Sequence, residues 1–190
     1  IGIQIENEYG HVGGLQGPEG EAHIRTLTAI AKEIGFDVPL YTATGWGGAC
    51  IGDLLPVMGG YCEAPWDQRT CEIEPNANFV FSHTRNDALI ACDHHVENAN
   101  SYNEEDFPFL TAELGGGLQV TMHRRPVAKG CDVGAMSTVK MGSGAGLLGY
   151  YMYHGGSNPK GKLSTLQESR ATGYLNDLPE INYDFNAPIR

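Results

Sequence analysis

Two carboxylates stand out by position among the 23 acidic side chains of this 190-residue chain. Glu8 follows Asn7 at the end of the first strand-like run, in Ile5-Glu6-Asn7-Glu8-Tyr9-Gly10, and Glu113 follows the apolar stretch Phe107 to Ala112 just before Gly115-Gly116-Gly117. Each falls where a strand would hand over to a loop. A closed sheet would then aim both into one mouth, the arrangement needed for glycoside hydrolysis with retention, in which one carboxyl is the nucleophile and the other the acid and then the base. Solvated acidic residues at strand ends are the plain alternative.

Neighbouring residue types add to the first reading. Asn7 offers an amide to a sugar hydroxyl, and Tyr151 and Tyr153 share a face of a late strand where a phenol can steady a carboxylate or touch a sugar. Trp46 and Trp66 are candidate stacking platforms for a pyranose, and His154 is a candidate substrate contact with a structural role as its rival. Cys92-Asp93-His94-His95 has metal-ligand residue types. Adjacent positions diverge on a strand or a helix, so these are surface polar residues rather than a metal site, and neither a metal nor another cofactor is expected.

The elements that must position these groups alternate between strand and helix. Ile1 to Ile5 opens as a strand already under way, Pro18 to Gly35 has helical periodicity in Ile24, Leu27, Ala31 and Ile34, and Phe36 to Thr42 is again strand-like. Leu54 to Met58 ends at Gly59-Gly60, Phe107 to Ala112 at Glu113, and Leu147 to Tyr153 at His154-Gly155-Gly156, with a helix over positions 132 to 146 between the last two. This order predicts an α/β fold built on a β/α barrel, whose active site lies at the carboxyl ends of the strands. The 26 glycines cluster after those ends, as the rim of such a site would require. A single partial domain spans residues 1 to 190, with no internal boundary.

The net charge of -11 argues against a nucleic-acid partner, because phosphate neutralisation needs an excess of Lys and Arg. Five cysteines without a C-x-x-C pair imply free thiols and slightly favour the cytoplasm. No apolar stretch approaches the length that spans a bilayer, so a soluble protein is expected and its compartment stays open.

The string Gln4-Ile5-Glu6-Asn7-Glu8-Tyr9-Gly10 resembles the acid/base motif of glycoside hydrolase family 35, the β-galactosidases. Tyr151-Met152-Tyr153-His154-Gly155-Gly156-Ser157-Asn158 and Tyr183-Asp184-Phe185-Asn186-Ala187-Pro188 resemble that family's last-strand and post-barrel motifs, in the same order. The resemblance implies an eight-stranded TIM barrel of which this chain covers roughly strands 4 to 8, with Glu8 as acid/base and Glu113 as nucleophile. It also implies that Asn7 contacts the sugar 2-hydroxyl, that Tyr151 stands near the nucleophile, and that the partner is a galactoside-bearing oligosaccharide or glycan. Phe185 replaces a galactose-touching Tyr of many members, and Leu114 to Leu118 replaces an aromatic-rich stretch. Galactose specificity is therefore less secure than the reaction type, and another retaining glycosidase or a non-catalytic sugar binder are the rivals. Family members hold the galactose 3- and 4-hydroxyls from strands before Glu8, so these residues alone are expected to aggregate or stay inactive.

Overall fold

The computed structural model describes residues 2–11, 13–45, 48–63, 71–83, 101–115 and 127–158, together with Arg69, Arg85, Lys162 and Ile189. Five strands, β1 (Ile3–Asn7), β2 (Leu40–Ala43), β3 (Leu55–Tyr61), β4 (Thr111–Gly115) and β5 (Tyr150–Tyr151), lie in chain order in one sheet. All neighbouring pairs are parallel, and the sheet curls into a half-barrel. Helix α1 (Gly17–Glu33) connects β1 to β2, and α2 (Gly130–Gly142) connects β4 to β5.

Helix α1 starts with Pro18 in its first turn, where a missing N–H is harmless, and Glu19 faces the positive end of the helix dipole. Its buried stripe is Gly20, Ile24, Thr28 and Ala31. Ile34, expected on that stripe, is 66% exposed, because the helix has already ended there. Gly35 takes a left-handed φ of 95°, Phe36 N–H returns to the Ala31 carbonyl at 3.1 Å, and the strand begins only at Leu40. Phe36 to Pro39 is therefore a helix exit and not the first half of a strand.

The helices cover one face of the sheet. Ile24, Cys50 and Leu54 form one core cluster with Ile5, Tyr9 and Leu40 packed against it. Cys62, Leu114 and Met136 form another, with Ala128, Val133 and Leu148. Since side chains alternate along a strand, Leu114 under α2 turns Glu113 and Gly115 to the opposite, inner face, and Cys62 under α2 does the same for Tyr61.

Other boundaries also shift from the sequence pattern. The last strand is shorter than Leu147 to Tyr153, with Leu147 making only an isolated bridge to Leu110. Phe107 to Leu110 precede β4 rather than forming it, and Glu113 sits within the strand. Nor do Gly59 and Gly60 end β3: they pair with Glu113 and Leu114, and Tyr61 pairs with Gly115. Strand extent follows the ladder with neighbouring strands, which local apolarity does not encode.

Candidate active site

Glu8 is placed by a break in the β1 to β2 ladder. The register shifts between Gln4 and Asn7, and Glu8 itself has φ 52°, a left-handed conformation unfavourable for a residue with a side chain. Two backbone bonds hold it there: Glu8 N–H donates to the Ala43 carbonyl at 2.8 Å, and His11 N–H donates to the Glu8 carbonyl at 2.9 Å. Strain that the surroundings enforce is common where a side chain must be aimed.

Glycine makes the space into which Glu8 is aimed. A Cβ on Gly45, which has φ 59°, would lie 3.0 Å from Glu8 Oε1. Gly59 N–H donates to the Gly45 carbonyl at 3.1 Å, and a Cβ on Gly59 would lie 3.4 Å from Glu113 Cβ. The two carboxylates thus flank one hydrogen-bonded pair of glycines, Gly45 just beyond β2 and Gly59 within β3. The loop carrying this arrangement is tied to α1, since Glu21 accepts from the backbone N–H groups of Ile51 at 3.2 Å and Gly52 at 2.7 Å.

Tyr61 joins the pair. Its hydroxyl donates to Glu113 Oε2 at 3.0 Å, and its ring meets Tyr151 edge-on with centroids 6.1 Å apart. The reach depends on Gly115, the cross-strand partner of Tyr61, because a Cβ at Gly115 would overlap the Tyr61 ring. Gly115→Ala is accordingly expected to destabilise the fold by about 1–3 kcal/mol through overpacking. Gly134, on the exposed side of α2 with open space at its Cβ position, should instead gain about 0.5–1 kcal/mol on replacement by Ala. Urea melts of both variants check the contrast, and equal effects would contradict it.

The electrostatics separate the two carboxyls. Although the Glu8 residue keeps some solvent contact, its carboxyl is closely surrounded, and this desolvation, with the charge of Glu113 second, raises its pKa from 4.5 to about 8. Desolvation also raises Glu113, but the Tyr61 hydroxyl bond stabilises its anion and opposes the rise. Glu113 therefore ionises first, and its charge helps to keep the proton on Glu8. Tyr61 is held well above its usual pKa, by burial first and then by the charge of Glu113, so it remains a donor.

No family model, curated protein or solved structure matches this chain.

Of the residues singled out in the sequence, Glu8, Glu113 and Tyr151 come together around Tyr61. Asn7 is exposed beside Glu8, with Oδ1 accepting from Gln4 Nε2 at 2.9 Å. Tyr153 is 70% exposed and His154 is exposed, its backbone bridging to Ile189. Trp46, Trp66, Phe185 and the Cys92 to His95 cluster lie outside the described residues. Among the described residues no group of His, Cys, Asp and Glu is arranged to hold a metal ion, and no helix is long and apolar enough to cross a membrane.

Sequence reasoning passed over Tyr61 because Gly59-Gly60 resembles a strand terminator. The period-two series Val57, Gly59, Tyr61 was the available signal.

Proposed function

We propose that this chain carries the catalytic pair of a retaining glycoside hydrolase acting on terminal β-galactosides, on a TIM barrel of which the half-barrel is a part. The observation that carries the reading is the unequal carboxyl pair: Glu8 holds its proton up to a pKa of about 8, while the Glu113 anion accepts a hydrogen bond from Tyr61. A retaining glycosidase needs one carboxyl protonated and the other ionised at the start of the cycle.

In the first step Glu113 attacks the anomeric carbon, the glycosidic C–O bond breaks, and Glu8 gives its proton to the departing oxygen. The product is a galactosyl ester of Glu113. Esterification removes the negative charge beside Glu8, which lowers its pKa and fits it for the second step. Glu8 then takes a proton from water as the water attacks the anomeric carbon and releases Glu113. Asn7, exposed and one residue from Glu8, is suited to the sugar 2-hydroxyl, and Tyr151 to the sugar or the Glu113 side of the pocket. Trp46 and Phe185 are assigned to substrate contact by the sequence motifs.

The choice of galactose rests on those motifs rather than on the carboxyl geometry. A panel of nitrophenyl β-glycosides and a fluorinated galactosyl donor, applied to a protein that carries these residues within the whole proposed barrel, test the proposal together, and the variants below are made in that protein. The galactoside is expected to turn over fastest and the donor to label Glu113 covalently. Faster turnover of a glucoside or mannoside would reassign the sugar, and absence of both turnover and label would leave a non-catalytic sugar binder.

A further inference from the structure

Two side-chain amides, from the half-buried Asn76 and the buried Asn78, converge on one backbone atom of Tyr61. The Tyr61 carbonyl is the last of β3, and it accepts from Asn76 Nδ2 at 2.8 Å and from Asn78 Nδ2 at 3.0 Å. Asn76 also caps the short 3-10 turn Ala77–Phe79, its Oδ1 accepting from Asn78 N–H at 2.8 Å. Asn78 is 1% exposed and is seated against Gly60, where a Cβ would come within 2.9 Å of Asn78 Oδ1 and 3.2 Å of Lys140 Cε.

One amide would suffice for a carbonyl at the end of a strand. Two amides, approaching from a turn whose own backbone one of them caps, fix the direction of the carbonyl and with it the orientation of the peptide plane. The Tyr61 side chain springs from the Cα next to this carbonyl, so a shift of the backbone at the end of β3 carries the hydroxyl with it and weakens its 3.0 Å bond to Glu113. Displacements of this size, made away from the reacting atoms, have large effects on catalysis.

We propose that Asn76 and Asn78 are positioning residues for the carboxyl pair: by clamping the Tyr61 carbonyl they hold the Tyr61 hydroxyl on Glu113. The proposal rests on the reading of Glu113 as the nucleophile and adds to it a determinant outside the pocket. Among the described residues, Glu8 and Tyr61 act on Glu113, and Tyr61 is the one of them that Asn76 touches, so the Tyr61→Phe background tests whether an effect of Asn76 on Glu113 passes through Tyr61.

Asn76→Asp separates this role from folding, since Asp keeps an oxygen for Asn78 N–H and removes the donor to Tyr61. The measurement is the pH profile of nitrophenyl galactoside hydrolysis by wild type, Asn76→Asp, Tyr61→Phe and the double variant. Asn76→Asp should lower kcat roughly three- to tenfold with KM little changed, the range expected for the net worth of one ordinary hydrogen bond. It should also move the acid limb upward by about half a pH unit, because the Glu113 anion has lost its donor. In the Tyr61→Phe background the same substitution should change nothing further. Gly60→Ala, which pushes Asn78 from below, should move the limb in the same direction.

A structural role alone would reduce active protein equally at every pH and leave the limb in place. That outcome, or an Asn76→Asp loss that persists undiminished in the Tyr61→Phe background, overturns the proposal while the nucleophile stands. If Tyr61→Phe and Glu113→Gln both turn over like wild type, the nucleophile itself is misassigned and the positioning role falls with it.

Discussion

Glu113→Gln is expected to reduce turnover of a nitrophenyl galactoside by about a thousandfold or more, and at the same time to lower the pKa of Glu8. The first effect follows because an amide has no anionic oxygen to form the glycosyl ester. The substitution is nearly isosteric, and the Tyr61 hydroxyl can still donate to the amide oxygen, so the pocket keeps its shape. The second effect follows from charge. Glu8 is raised from 4.5 to about 8 by burial and, second, by the anion at Glu113. With that anion gone only burial remains, so Glu8 should titrate below about 8 but above the ordinary carboxyl range. Carbon NMR of the labelled carboxyl reads this directly. Wild-type turnover in the variant would remove Glu113 from the chemistry, and an unmoved Glu8 titration would show that the two carboxyls do not share a pocket.

The two carboxyls were legible in the sequence because their signal is local: an acidic residue where an apolar period-two run meets glycine. Helix α1 was legible for the same kind of reason, with Pro18 and Gly35 bracketing a 3.6-residue periodicity. Tyr61 was not legible, and the cause is instructive. Gly59, Gly60 and Gly115 resemble turn residues in one dimension, yet in the parallel sheet they are strand residues whose missing side chains make room for Glu113, Asn78 and the Tyr61 ring. A glycine required for space and a glycine required for a turn look alike until the facing strand is known. Likewise, that β4 begins at Thr111 and carries Glu113 inside it is decided by pairing with β3 and β5, not by the apolarity of Phe107 to Ala112. The α/β character was foreseen from the alternation of elements, since parallel neighbours in chain order require a crossover between each pair, whereas the partial barrel was expected from the motif resemblance.

Glu8→Gln should have opposite consequences for activity and stability. In activity, a substrate whose leaving group needs a proton should turn over about a hundred- to ten-thousandfold more slowly, the usual range for a lost general acid. A nitrophenyl galactoside, whose leaving group needs little protonation, should still form the ester on Glu113 and then stall there, because no base activates water. Mass spectrometry of the variant during turnover should therefore find the galactosyl adduct, and failure to find it with an otherwise slow variant would remove Glu8 from the second step. In stability, the sign follows from the direction of the shift. A carboxyl raised from 4.5 to about 8 in the folded state binds its proton more tightly there than in the unfolded chain. Its contribution is fully present below about pH 4.5 and is lost as pH rises through about 8. Gln does not titrate, so the variant should gain on wild type across that window by a few kcal/mol and then hold a constant advantage at higher pH. Urea melts at pH 5, 7 and 9 measure the gain, and a difference that is flat with pH would mean that Glu8 is not a buried acid. Both consequences have one cause. The desolvation that makes an ionised Glu8 unfavourable for the fold is what keeps a proton on it near neutral pH, where the departing oxygen of a glycoside can receive it.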